Sequence, residues 1–532
     1  MEKPGSRNHW SIGEDNKIMS MVKKGFSKSN IWAVIFSLIA GFCIAIFNPG
    51  QYSLVGFLSG FFFTLSSSTI LIFVRRKVAT SKQAGWATAA SFFIRLLIGI
   101  ILFITLPIFG YDEAPPNNGY LYLDAYERDT DAWHLAESGG SLMTAFQDEF
   151  YSDQYGGLLS LSAGIYRLFS PDGHRPLLIL VLTAFLYSLS LPFFWQSVKD
   201  HWGEKTADIS VWILALYPES IILGASQMRE PILIGLSAIS FWAIGQLSTG
   251  KKKALLPIGF CAFSLIFISY KAAAAIMVSL ALFYWIDTLL PKSGKKARLV
   301  SFFFAAALIM TGVYFSWNWL VDSSKWDLLL MESSSGRIQW ELELIGQKFQ
   351  TPFIISYGLL QPVFPAAIVY PGIAITKAIA IFRSAGWYAL LPFLLAAGIM
   401  VWKTQPLKER RRTFIMLALV FVWTLISSAR AGGDQWDNPR YRSIFLIWYA
   451  VLAAMAYIET KSRDSRWLRR IISLEIIYSG FFIHWYLSRY FGIFRRMDFW
   501  PMIQALAAIG IVIILGGIVF DLFRKKKAIQ NP

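Results

Sequence analysis

Charge and cysteine are both scarce in this chain. Only 16% of its 532 residues are Asp, Glu, Lys or Arg, against roughly 25% in soluble domains, and the mean hydropathy is +0.48. Such a composition excludes an ordinary water-soluble domain and points to lipid as the solvent. Cys43 and Cys261 lie inside apolar runs and are too few for a disulfide framework. There is no Cys/His cluster at metal-ligand spacing, no Gly-rich phosphate loop followed by lysine, no internal repeat, and no room for a Rossmann-type nucleotide domain. The first 30 residues are polar and carry Lys23, Lys24 and Lys28, so no cleavable signal peptide is expected.

What the chain has in abundance is apolar runs of about 20 residues, the length a helix needs to cross a bilayer core of roughly 30 Å. Spans are expected near 31–48, 53–74, 87–108, 176–195, 207–224, 230–247, 254–270, 272–290, 299–319, 385–402, 413–429, 443–459, 471–492 and 502–522. The expected fold is all-α: a polytopic transmembrane bundle of about fourteen spans. The net charge of +17 does not mark a nucleic-acid protein, because the cations sit in short clusters at the ends of apolar runs. These are Arg75 to Lys77, Lys251 to Lys253, Lys292 to Arg298, Lys408 to Arg412, Arg463 to Arg470 and Arg524 to Lys527. Clusters in alternate loops mark the cytoplasmic side, which places both termini in the cytoplasm and the chain in the plasma (inner) membrane. Arg495 and Arg496 run against that trend.

Residues 351–384 are apolar but interrupted by Pro362, Pro365 and Pro371, and read as a broken or re-entrant element. Three outer loops follow from the topology. The first, 109–155, holds ten acidic residues and one cation, Arg128, and runs into 156–170. There Leu158, Leu159, Leu161, Ile165 and Leu168 form one apolar face, either of an interfacial helix or of the approach to the next span. The second, 320–350, is mixed in charge. The third, 430–442, reads RAGGDQWDNPRYR.

Candidate chemistry lies in these loops. Asp124, Glu127, Asp129 and Asp131 fall within eight residues, and such crowding disfavours ionising all four unless a cation compensates. A solvated acidic loop has the same spacing; a general base is the functional alternative. Asp129 and Asp131 are also a candidate pair for a divalent cation, Mg2+ or Mn2+. No other cofactor is indicated. Against the positive-inside trend, Arg229, Lys271, Arg440 and Arg442 face outward, the last two flanking Tyr441. Arginine's planar fork and lysine's point charge both suit phosphate oxygens; pairing with the acidic loops or lipid headgroups is the plainer role. Arg95 lies within a span, where it either snorkels, pairs or serves a task. Carboxylates and phosphate-binding cations on the outer side imply transfer from a donor delivered by the membrane, a sugar on a polyprenyl phosphate. A carboxylate would take the acceptor's proton and the cations would stabilise the departing phosphate.

Four stretches are similar to the GT-C superfamily of membrane glycosyltransferases, which includes protein mannosyltransferase-like and aminoarabinose-transferase-like enzymes. They are Asp129 to Glu137 (DTDAWHLAE), Tyr155 to Phe169, Leu216-Tyr217-Pro218 running on to Arg229-Glu230-Pro231, and Pro439-Arg440-Tyr441-Arg442. The resemblance covers roughly 87–460. It implies a core over 81–460, preceded by a cytoplasmic N-terminus and two additional helices (1–80) and followed by further helices and a basic tail (461–532). It implies Asp129 as catalytic base, Asp131 as alternate or metal-side partner, and Glu230 as a second carboxylate. Arg440 and Tyr441 would contact the lipid phosphate, beside Arg442, Arg229 and Lys271. The implied partners are a polyprenyl-phosphate-linked sugar, a glycan, lipid or protein acceptor, and membrane lipid, with no nucleic acid. A glycan polymerase or ligase more often places its largest outer loop late in the chain. A transporter or flippase commonly shows paired repeats.

Overall fold

The computed structural model describes residues 28–48, 52–147, 150, 155–304, 346–403, 407–462 and 466–530, with isolated residues between 306 and 322. Helix dominates the described residues, as it must where lipid leaves every backbone amide and carbonyl to find its partner within the chain. The helices are α1 (Lys28–Phe47), α2 (Ser53–Val78), α3 (Lys82–Phe109), α4 (Leu123–Glu137), α5 (Gly157–Phe169) and α6 (Leu177–Trp202). Next come α7 (Glu204–Leu216), α8 (Pro218–Gly224), α9 (Glu230–Ser248), α10 (Leu255–Tyr284), α11 (Gln347–Gly358) and α12 (Phe364–Val369). The last are α13 (Ala374–Met400), α14 (Leu407–Ala431), α15 (Asp437–Ser443), α16 (Leu446–Ser462), α17 (Arg466–Tyr490) and α18 (Phe499–Gln530).

Among the described residues, ten helical stretches are long and apolar enough to cross a membrane, or twelve if each of two bent pairs counts as one span: α7 with α8, bent by 50°, and α15 with α16, bent by 76°. Two of the fourteen expected crossings account for the difference. Residues 254–290 form one helical stretch, and 299–319, like the loop 320–350, lies mostly outside the described residues.

The single stretch is a folded one. Ser269 leaves helical geometry at φ −166° and ψ 99°, dividing α10 into two arms. Beyond its C-terminus Asp287 pairs with Arg412, which also donates to the His201 carbonyl at the end of α6. Its start follows the lysines that trail α9. Its middle reaches the opposite end of the bundle, where a Cβ on Gly157 would lie 1.9 Å from the Phe267 oxygen. Only glycine fits that approach. Lys271, expected in a loop between two spans, sits two residues past Ser269.

Apolar contacts knit α6, α9, α10 and α16: the Phe241 ring lies 4.9 Å from Trp448 and 5.4 Å from Phe283, beside buried Trp195. Helix α6 is largely buried, whereas α17 and α18 present most of their surface outward. The 351–384 stretch is broken as its prolines require: α11 stops at Gly358, Pro365 sits in the first turn of α12, and α13 starts beyond Pro371. Helix α13 begins at Ala374, eleven residues before the expected span.

Arg95 does not snorkel. Proline at the start of α8 breaks the α7–α8 ladder, and Arg95 caps the break, donating to the Ala215 carbonyl (3.0 Å) and Ser220 Oγ (2.9 Å). Its guanidinium lies 3.7 Å from the centre of the Tyr187 ring. An intramembrane cation is here matched to a carbonyl at the proline break and to a neighbouring hydroxyl.

Candidate active site

The four stretches singled out in the sequence meet at one end of the bundle, opposite Arg412 and Asp287. Arg440, on the short helix α15, is the hub. Its Nε donates to Glu230 Oε1 (2.8 Å), its Nη2 lies 2.9 Å from Asp124 Oδ2, and its Nη1 donates to Asp437 Oδ1 (3.2 Å). One planar guanidinium thus joins α4, α9 and α15, a task a lysine's single ammonium cannot match. Arg440 and Glu230 are buried, but Asp124 keeps 49% of its side chain exposed. Burial works against ionising Asp124, yet Arg440, Arg128 and Arg229 outweigh it and hold the carboxyl below its ordinary range.

Placement of α15 is itself built from ion pairs. Arg383 on α13 forms a bidentate pair with Glu219 on α8 (2.6 and 2.8 Å) and donates to the Trp436 carbonyl at the head of α15 (3.1 Å). Its guanidinium lies 4.4 Å from the Trp436 ring centre. Tyr441 hydrogen-bonds Asp437 Oδ2 (2.8 Å) and carries Arg430 over its ring at 4.0 Å. Arg442, expected near a phosphate, is buried against Trp387 at 3.5 Å and donates to the Gln361 carbonyl.

The remaining cations form a ladder of rings and charges. Arg229 lies 3.9 Å from Glu230 Oε1 and 4.5 Å from the Tyr155 ring centre; Tyr155 meets Tyr270 edge-on at 5.2 Å, and Lys271 sits 5.9 Å from Tyr270. Lys271 is exposed at the apex of α10.

Asp129 is in a different setting. It is buried, and both its oxygens are engaged: Oδ1 accepts from the Tyr166 hydroxyl (2.6 Å), while Oδ2 accepts from Tyr120 (2.6 Å) and lies 2.8 Å from His174 Nε2. Burial, and then the adjacent carboxylate, push both phenols well above their ordinary range, so they remain donors. Helix α5 supplies this cage with the face formed by Leu159, Ala163 and Tyr166, and turns Leu168 outward. Of the five apolar residues expected on one face of α5, only Leu158 and Leu159 are buried. Asp131, two residues on, projects about 200° around the helix from Asp129. The pair therefore does not share a face, and among the described residues no group of three or more His, Cys, Asp or Glu is placed to hold a metal.

Of the predicted residues, the structure thus brings together Glu230, Arg440, Tyr441 and Arg229, with Lys271 one aromatic contact further on. Asp129 and Arg442 are committed to buried networks. Asp437, Tyr120, Tyr166, His174, Glu219 and Arg383 were not singled out by sequence. Glu219 had the one available signal, a carboxylate directly after the Tyr-Pro break.

No family model matches the chain, and none of the curated proteins does. Among solved structures, the archaeal oligosaccharyltransferase AglB from Archaeoglobus fulgidus, in complex with an inhibitory peptide and a dolichol-phosphate, is similar at a TM-score of 0.34 and 12% identity. The similarity covers 82% of this chain and 55% of that one, so the chain spans about half the length of AglB.

Proposed function

We propose that the protein is a GT-C-like membrane glycosyltransferase that moves a sugar from a polyprenyl-phosphate donor to a hydroxyl acceptor on the outer face of the plasma membrane. In this reading the chain crosses about fourteen times, with its termini and basic clusters in the cytoplasm and the Arg440 end outside. One observation carries it. The first-loop acidic stretch, the Tyr155 segment, the Arg229-Glu230 turn and the Arg440-Tyr441 pair are far apart in sequence, Asp124 and Arg440 by 316 residues, yet touch through Arg440, Tyr155 and Glu230.

The chemistry divides among these residues. The acceptor hydroxyl attacks the anomeric carbon; its proton passes to Asp124, the half-exposed and ionised carboxylate; the bond from that carbon to the phosphate oxygen breaks, and the polyprenyl phosphate leaves with the electron pair. Attack from the face opposite the leaving group inverts the anomeric centre. Lys271, exposed, and Arg229 at the other end of the Tyr155–Tyr270 ladder are the cations proposed to meet the lipid phosphate. Arg440 has its three nitrogens on carboxylates and acts by fixing Asp124 and Glu230. Asp129, caged by three donors, holds α4 in place, and no step runs through a metal.

The test uses liposomes containing the purified protein, a polyprenyl-phosphate hexose carrying a radiolabel, and a membrane extract as source of acceptor. Protein-dependent appearance of label in a new membrane-bound or glycan product is expected. Label that stays on the donor, or accessibility labelling that puts residues 109–147 in the cytosol, contradicts the proposal.

A further inference from the structure

His174 is not part of the Arg440 cluster, yet its surroundings are unusually fixed. The turn between α5 and α6 that carries it is bolted to the first helical hairpin. Arg175 pairs with Asp172 and donates to the Tyr52 carbonyl (3.1 Å), the Tyr52 amide donates to Asp172 Oδ2 (3.2 Å), and the Leu177 amide donates to Asn48 Oδ1 (3.1 Å). From this anchored turn the imidazole reaches Asp129 and lies on the Trp133 ring, centroids 5.4 Å apart and planes 18° from parallel. The Tyr166 ring closes its edge at 5.1 Å.

We propose that His174 is a positioning residue: through Asp129 it sets the rotation of α4 and thereby holds Asp124 against Arg440. This rests on the transferase reading, in which Asp124 takes the proton. The lever is short and stiff. Asp124 and Asp129 are five residues apart on one helix, a rise of about 7.5 Å. A carboxylate lies roughly 5 Å from the helix axis, so a turn of about 20° around that axis displaces it by roughly 2 Å. That is enough to break a 2.9 Å contact with Arg440. His174 itself is engaged on Asp129, five residues along α4 from Asp124, and not on the Arg440 cluster. The N-terminal hairpin, which lies outside the resemblance to known transferases, thus gains a task as the fixed footing for α4.

The consequence is readable in the titration of Asp124. The charged groups facing it are Arg440 and Asp437 from α15, Glu230 and Arg229 at the head of α9, and Arg128 on its own helix. Arg440 is the largest influence lowering its pKa. Activity that needs ionised Asp124 is lost as pH falls through that depressed pKa, so loosening α4 moves the acid limb to higher pH.

The experiment compares His174→Phe, which keeps a ring on Trp133 but removes the donor, with His174→Gln, which restores an N–H donor. In the transfer assay, His174→Phe should lower kcat by roughly 100-fold with donor KM unchanged and shift the acid limb upward; His174→Gln should restore both. A second readout needs no turnover: carbodiimide coupling of an amine to Asp124, measured by peptide mass spectrometry against pH, should persist to higher pH in His174→Phe. Tyr166→Phe serves in the same way should His174→Phe fail to fold. Coincident labelling curves for wild type and His174→Phe overturn the proposal, as does a His174→Gln variant that behaves like His174→Phe. A wild type that transfers no sugar removes the transferase reading, while the labelling curves still decide whether His174 positions Asp124.

Discussion

The two ends of the bundle each bury an arginine–carboxylate cluster, and the clusters are near mirror images in charge. At the basic end a single carboxylate serves two arginines. Asp287 accepts Arg412 through both oxygens (2.8 and 3.0 Å), with Arg411 Nη2 at 3.7 Å. At the other end one arginine, Arg440, serves three carboxylates, and a second, Arg229, approaches only to 3.9 Å. The first arrangement saturates its carboxylate and closes on the His201 carbonyl. The second divides one guanidinium among three carboxylates, with Asp124 reaching solvent while held ionised. A closed pair is suited to joining helices; an open, charge-rich one also has an oxygen to offer an incoming hydroxyl.

Removing the hub gives the largest expected effect. Arg440→Ala leaves Glu230 buried without its partner and should destabilise the protein by about 3–5 kcal/mol, read by denaturant titration in detergent. Arg440→Lys should recover little of it, since one ammonium cannot span three carboxylates. Arg412→Ala should cost a comparable amount, about 3–5 kcal/mol, yet leave transfer per folded molecule intact. Loss of transfer in folded Arg412→Ala would erase the division between the ends. Smaller in its effect on donor use is Lys271→Ala, expected to raise the apparent KM for the lipid-linked sugar about tenfold, as for one charged contact of about 1.4 kcal/mol. Stability should stay within about 0.5 kcal/mol, because the residue is exposed. An unchanged KM would take Lys271 out of the phosphate site.

The smallest expected effect is a shift in acid tolerance. The folded pKa of Asp124 lies below the ordinary carboxylate value of about 3.9. Its contribution to stability is therefore fully present above that ordinary value and is lost as pH falls through the depressed one. Asp124→Asn should give up that contribution near neutral pH and so flatten the acid limb in thermal unfolding scans, with little change in stability below the depressed value. An unaltered limb would mean that the charge on Asp124 is not linked to folding.

How much of this was legible in the chain follows from the kind of physics involved. Ten to twelve of the expected spans were, because a bilayer imposes a length that apolar runs display directly. So was the breakage at Pro362, Pro365 and Pro371, a local backbone effect. Glu230, Arg440 and the 109–155 loop stood out as charges in unexpected places. The choice between Asp124 and Asp129 did not, because the two differ only in which face of α4 meets α15 and which meets α5, a matter of tertiary packing. Tyr120, Tyr166 and His174 are ordinary aromatic residues spread over 55 positions, and nothing local shows that they converge on one carboxylate. Arg95 was visible as an anomaly, but its partners appeared only once the Pro218 break was placed beside it. The two apolar runs read as separate helices are the two arms of α10, divided where Ser269 leaves helical geometry, with Lys271 just past the break.

The most direct measurement is the single-turnover rate of hexose transfer from labelled polyprenyl phosphate by Asp124→Asn and by wild type, at equal amounts of folded protein and saturating donor. Slowing of about 10²–10⁴-fold, the range for loss of a positioned base, with donor binding retained is the expected result. Transfer by Asp124→Asn at the wild-type rate would contradict the assignment of the Arg440 end as the reacting centre.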